Sequence, residues 1–201
     1  MRIAVVDHGA GNLVSIAQGL SAAGCRVMVS TDRADLNRAD GVVLPGVGST
    51  ASVMEGLRAG GFIEPLLDLE VPLLGICVGM QVLFAESEED GAVGLGIWRG
   101  TVNKLRGTPR IPHIGWNDVS GPVHPLLDGT DRVFYFVHSF APVPADPKVA
   151  IGETIYGEAF CSAVSDGRRH GVQFHPERSG PAGLRLLANF VSLCEEAADA
   201  A

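Results

Sequence analysis

Two short segments of the 201-residue chain hold residues that could do covalent chemistry together. In Gly75-Ile76-Cys77-Val78-Gly79 a cysteine stands between two glycines, after the apolar run Val71-Pro72-Leu73-Leu74-Gly75-Ile76. A nucleophile at such a strand-to-helix junction can occupy a strained elbow. Small neighbours (Gly75 and Gly79) let the backbone turn tightly and leave the side chain exposed at the sheet edge. The free N–H groups and dipole of the following helix would favour thiolate over thiol and stabilise an oxyanion. Far along the chain, Arg169-His170-Gly171-Val172-Gln173-Phe174 reads as a strand that delivers His175-Pro176-Glu177 at its end. In extended backbone, positions i and i+2 face the same way, so the Glu177 carboxylate could orient the His175 imidazole and keep its useful tautomer. The chemistry would be acyl transfer. Cys77 attacks a carboxamide, His175 takes the thiol proton and later delivers one to departing ammonia, and water hydrolyses the thioester.

Each residue also has a plainer reading. A lone cysteine is most often a small buried hydrophobe. His175 could be a strand-end histidine satisfied by a backbone carbonyl, and Glu177 a surface carboxylate. Their spacing does not bring them to Cys77, but partners from different strand ends are expected in an α/β architecture. Leu44-Pro45-Gly46-Val47-Gly48-Ser49 is a second glycine-rich strand end. Gly46, Val47 and Gly48 could lay backbone N–H groups beside the nucleophile, although many ordinary turns have this composition.

The elements needed to position these groups can be read along the chain. Met1–Asp7 is a short apolar run ending in a polar residue, as in a buried parallel strand. After the turn at residues 8–12, Leu13, Ile16, Ala17, Leu20 and Ala23 are spaced for one helix face, and Gly24 ends that helix. Arg26–Ser30, Asp40–Pro45 and Val71–Ile76 read as further strands, Pro72 being confined to the entrance of the last. Met80–Ala85 can continue as helix. This alternation predicts an α/β sheet, mostly parallel, with helices on both faces. The second half changes character. Leu95–Trp98 through Arg110-Ile111-Pro112, Val133–Val137, Ile151–Thr154 and Cys161–Val164 look like strands without intervening helices, which predicts an antiparallel extension. A last helix is expected from about Ala182 to Glu195, with a frayed tail from Glu196 to Ala201. No internal repeat or linker is evident, so one domain over residues 1–201 is the simplest account.

The bulk numbers exclude several classes of function. Apolar residues make up 46% and charged residues 19%, with 26 Gly and 12 Pro, and the net charge is -8. An acidic chain without a basic stripe is a poor nucleic-acid or membrane-surface binder. No apolar stretch reaches membrane-spanning length. Cys25, Cys77, Cys161 and Cys194 form no C-x-x-C pair, and no secretory signal is read at the start, so free thiols in a reducing cytoplasm are expected. After the first strand, Gly9-Ala10-Gly11 begins like a dinucleotide loop, but Val14 stands where a third glycine is needed. The histidine spacing fits no metal motif, and neither metal nor cofactor is expected. His113, His124 and His138 read as turn or core-edge histidines.

Taken in order, DHGAGNL, LPGVGS, GICVGMQVLF, GIWRGTVNKL, PHIGWN, YFVHSF and GVQFHPERS span essentially the whole chain. The chain thereby resembles the class I (triad) glutamine amidotransferases. GICVGMQ with FHPE carries the broad likeness, while the opening, PHIGWN and FVHSF narrow it to the glutaminase subunits of imidazole glycerol phosphate synthase. The resemblance implies that Cys77, His175 and Glu177 match the triad and that Pro45–Gly48 matches the oxyanion segment. It implies that Gln81 and the backbone around His138, Ser139 and Phe140 match the L-glutamine site. Asn12, Trp116 and Asn117 match the face toward a (β/α)8 cyclase partner, with which such subunits form a heterodimer. The cyclase uses the ammonia to convert the nucleotide PRFAR into imidazole glycerol phosphate and AICAR, a step of histidine biosynthesis. Three features depart from the family pattern: His8 where Tyr is usual, Arg178 where Lys is usual, and Gly180-Pro181 after Ser179. Arg178 stands at a position implied in partner contact, where Arg and Lys are not equivalent.

Overall fold

The fold is that of a computed structural model that describes residues 1–107 and 110–200. Its first half runs β1 (Arg2–Val6), α1 (Leu13–Ala22), β2 (Arg26–Ser30), β3 (Gly41–Gly46), α2 (Thr50–Ala59), α3 (Ile63–Leu67), β4 (Leu73–Cys77) and the single-turn α4 (Val78–Gln81). The second half runs β5 (Phe84–Ser87), β6 (Trp98–Lys104), β7 (His113–Asp118), β8 (Val133–His138), β9 (Phe140–Pro144), β10 (Ala150–Tyr156), β11 (Glu158–Ser165), β12 (Arg169–Val172) and α5 (Gly180–Asp199).

Seven strands form one sheet in the order β10-β11-β12-β4-β3-β1-β2. From β12 to β2 all neighbours are parallel. The β10 and β11 strands add the antiparallel extension at one edge. This is the mostly parallel α/β sheet with an antiparallel extension that the sequence pattern predicts. The central strands β3 and β4 are buried along their whole lengths, because the sheet is covered on both faces. That is why they read as unbroken apolar runs rather than alternating ones. Pro72 falls just before β4, where its missing N–H breaks no ladder, and its carbonyl accepts from Val42 N–H at 2.9 Å. Two smaller sheets, β5-β6-β9 and β7-β8, lie beyond β4 in the chain. Helix α5 packs Leu187 against Gly19 of α1 and Cys194 against Gly41 of β3, contacts that a Cβ on either glycine would block. Among the described residues no helix is long and apolar enough to cross a membrane.

Several boundaries differ from the sequence expectation. Met80–Ala85 does not continue as helix, because α4 stops at Gln81 and Phe84 begins β5, its ring 5.5 Å from that of Trp98. The strand expected from Leu95 through Pro112 is confined to β6, and its residues 108–109 lie outside the described residues. The last helix begins at Gly180 rather than Ala182, with Pro181 in its first turn, where a missing N–H costs nothing. It runs on to Asp199, so residues 196–199 of the expected frayed tail are helical, and Ala201 lies outside the described residues. Helix α2 went unread, although Ser49 caps it and a reciprocal bond from Ser52 completes a capping box.

Candidate active site

The parallel strands end together, and those ends supply the site. The β3–β4 register sets Gly46 beside Cys77, while β12 pairs with the other edge of β4 and leads to His175. Cys77 is the last residue of β4 and has φ 55 and ψ -114, a left-handed conformation strained for any residue with a Cβ. A Cβ on Gly79 would lie 1.9 Å from the Leu44 carbonyl oxygen, and one on Gly46 would lie 2.4 Å from Gly79 N. A Cβ on Gly75 would lie 2.7 Å from Gly79 O. The elbow is therefore an interlock of backbone on backbone, open only to glycine at these three positions. Such strain persists where the surroundings over-determine it, and it clusters at functional sites.

Cys77 is 3% exposed, so its side chain is not exposed at the sheet edge as the sequence suggested. The end of β8 covers it, with Sγ 3.8 Å from the Val137 carbonyl, and Gln173 Nε2 approaches Sγ at 3.6 Å. His175 Nδ1 lies 2.9 Å from Glu177 Oε1, which leaves the other ring nitrogen for the Cys77 thiol that lines the same cleft. The i, i+2 contact is real but is not made by extended backbone throughout, since Glu177 lies in the 3-10 turn Pro176–Arg178. Burial alone would push the His175 imidazole down. The hydrogen bonds and charges of Cys77 and Glu177 overcome it and raise the ring to about 10. The Glu177 side chain is 1% exposed, and its Oε2 has no partner among the described residues. α4 is only one turn long, which limits what its dipole can give. The raised His175 imidazole is the stronger electrostatic influence on this end of β4.

Cys77 and His175 line a cleft of about 300 Å³, together with Val47, Gly48, Val78, Gln81, Glu89, Pro112, Val137, His138, Ser139, Phe140 and Arg178. Every residue expected for glutamine is on this wall. The segment from Gly46 to Gly48 flanks it, with Val47 39% exposed and Gly48 at φ +86. Gln81 Nε2 donates to the Phe140 carbonyl at 2.9 Å and to Gln173 Oε1 at 3.0 Å. A larger groove of about 560 Å³ lies between β9 and the β10–β11 pair, and none of the candidate site residues lines it.

Of the residues expected to face a partner, Arg178 stands on the cleft wall and the others lie outside the cleft. The Arg178 guanidinium sits 4.8 Å over the Tyr135 ring, and Trp116, 57% exposed, meets the same ring edge-on at 5.9 Å. Asn117 follows Trp116 in β7, so its side chain points to the other face and donates to the Ile155 carbonyl at 2.9 Å. Asn12 precedes α1 without capping it by its side chain. Two residues at the site were missed from sequence, Gln173 behind Cys77 and Glu89 on the cleft wall. Gln173 is a fully buried polar residue inside an apolar run, which is a readable signal. Glu89, whose Oε2 accepts from Thr50 N–H at 2.8 Å, sits in an acidic stretch that gives none.

A family model for glutamine amidotransferase class-I matches residues 4–194. The imidazole glycerol phosphate synthase subunit HisH of Synechococcus sp. (strain JA-3-3Ab) is 45% identical over 201 residues, covering 95% of this chain and 93% of that protein. The subunit of the same name from Dehalococcoides mccartyi (strain CBDB1) is 46% identical over 200 residues, covering 95% and 97%. Among solved structures, one described as a glutamine amidotransferase matches with a TM-score of 0.73 at 19% identity, over 96% of this chain and 98% of that one. PurLQS from Thermotoga maritima matches with a TM-score of 0.72 at 17% identity, over 95% and 97%. At those identities the structural matches speak for the fold alone.

Proposed function

We infer the function from family membership: this chain belongs to the class-I glutamine amidotransferase family and, within it, to the HisH subunits of imidazole glycerol phosphate synthase. It hydrolyses L-glutamine and supplies the ammonia to a cyclase partner. Cys77 Sγ attacks the carboxamide carbon, and the C–N bond breaks as His175 protonates the departing ammonia. Water then hydrolyses the thioester to glutamate, while Glu177 holds His175 through Nδ1. The single structural observation that supports this mechanism is the buried group Cys77, His175 and Glu177 beside the cleft, with His175 Nδ1 2.9 Å from Glu177 Oε1. Backbone N–H groups of Gly46, Val47 and Gly48 take the oxyanion. Gln81, His138, Ser139 and Phe140 form the glutamine wall, and the Glu89 carboxylate on the same wall suits the substrate's ammonium group.

The partner in this reading is a (β/α)8 cyclase that docks on the surface around Asn12, Trp116 and Arg178, with Asn117 supporting β7 from its other face, and forms a heterodimer. It converts PRFAR to imidazole glycerol phosphate and AICAR in the cytoplasm, a setting consistent with four free cysteines. A closed interface keeps ammonia concentrated and unprotonated, which gives the two-protein arrangement its chemical purpose.

Glutamine hydrolysis measured with the chain alone, and with cyclase plus its nucleotide ligand, tests the assignment. Little turnover is expected alone, rising at least about tenfold in the complex. Stimulation by a different synthase, with none from the cyclase, would overturn it. Glu177→Gln checks the orienting role. It removes the charge that holds the His175 imidazolium, and turnover should fall by on the order of 10²–10⁴-fold with the fold intact by circular dichroism. A loss below about threefold would remove Glu177 from the mechanism.

A further inference from the structure

His113 of β7 is 1% exposed and pairs in register with His138 of β8. Its ring is stacked between Phe136, at 4.9 Å, and Tyr156, at 4.0 Å. Polar contacts run through it in one line. His138 Nδ1 lies 2.9 Å from the Phe140 carbonyl, His113 Nδ1 lies 3.1 Å from His138 Nε2, and Asn117 Nδ2 lies 3.4 Å from His113 Nε2. Only one placement of protons satisfies the line. A carbonyl can only accept, so His138 carries its proton on Nδ1. Burial lowers His113 and holds His138 down to about 3, so both rings are neutral. His138 Nε2 is then a lone pair, and His113 must also be protonated on Nδ1. Asn117 is oriented independently, because its Nδ2 donates to Ile155 O and its Oδ1 accepts from Asp118 N–H. At the other end, the Phe140 carbonyl also accepts from Gln81, which holds Gln173 against Cys77 Sγ.

We propose that His113 is a positioning residue for glutamine: through His138 it fixes the Phe140 carbonyl, and with it the Gln81 wall, relative to Cys77. The proposal rests on the glutaminase reading above. His113 touches neither the cleft nor the reacting atoms, so its effect falls on substrate placement rather than on the chemical step.

Two measurements test it. Long-range ¹H–¹⁵N spectra of the full chain should show both rings in the Nδ1–H tautomer at neutral pH, and an Nε2–H form on either ring would overturn the proposal. In the complex with cyclase, His113→Phe keeps the ring stack but loses both hydrogen bonds. KM for glutamine should rise at least about tenfold, with kcat within about threefold. His113→Gln restores a donor and an acceptor and should recover most of the KM. An effect on kcat or melting temperature with unchanged KM would overturn the positioning role. Should His113→Phe fail to fold, Asn117→Ala reads the same line from its outer end and should raise KM for glutamine in the parent background and by less in the His113→Gln background. A KM that Asn117→Ala leaves untouched in both backgrounds overturns the proposal. A parent complex that hydrolyses no glutamine defeats the glutaminase reading itself, whereas the tautomer measurement stands or falls separately.

Discussion

Cys77→Ala should lower glutamine turnover by at least about 10⁴-fold while leaving the protein folded. The substitution is clean for a structural reason. Alanine keeps the Cβ, so the left-handed strain at φ 55 is unchanged and the elbow is neither relaxed nor tightened. The lost Sγ makes long contacts, at 3.8 Å to the Val137 carbonyl and 3.6 Å to Gln173 Nε2, and fills little space, so the stability change should stay within about 1 kcal/mol. Ammonia release in the complex and a thermal melt measure the two effects. Thiol chemistry gives an independent check. Burial raises Cys25 and pushes Cys161 and Cys194 up to about 12, so those three thiols stay protonated and unreactive at neutral pH. A glutamine-like electrophile should therefore label Cys77 alone, and Cys77→Ala should abolish labelling. Unchanged ammonia production in that variant would end the nucleophile assignment.

What the sequence made legible follows from how each feature is built. Strands β1, β3 and β4 are buried on both faces, so their apolar runs stand out, and the glycines around Cys77 mark where backbone must touch backbone. His175 and Glu177 were readable because their contact is local, spanning two residues. Strand β7 was not, because its exposed side carries Ile114 and Trp116 while its buried side is built on His113, the reverse of an amphipathic pattern. The burial of Cys77 was also invisible, since the cover comes from Val137 on a distant strand. Glu89 reaches the cleft through a bond to the start of α2, a helix itself unread, so no local pattern could have placed it. Local backbone requirements are thus written in short motifs, whereas the walls of the cleft depend on how separate sheets close over one another.

Gly79→Ala should be more damaging to stability than any surface substitution, at about 3 kcal/mol or more, and should inactivate whatever protein still folds. The added Cβ would meet the Leu44 carbonyl oxygen at 1.9 Å and Pro45 C at 3.0 Å. These are backbone atoms of β3, held in register against β4 by the pairs Leu44–Gly75 and Gly46–Cys77, so no side-chain rotation relieves the clash. Gly24→Ala is the informative comparison. Gly24 has open space around it but φ +88, so that variant pays only left-handed backbone strain, about 1 kcal/mol. Gly79 has no such φ, and its cost is wholly steric. Urea titrations of the two variants would separate the terms, and a Gly79→Ala loss no larger than that of Gly24→Ala would refute the interlock. The functional consequence has the same origin. Relief of the clash requires β3 to move away from the elbow, and β3 runs directly into Gly46, Val47 and Gly48. Any shift large enough to admit the methyl group carries Gly46, Val47 and Gly48 away from Cys77. Activity per folded molecule should therefore fall together with stability, because the packing that holds the strained cysteine also sets the distance to the groups that would receive the oxyanion.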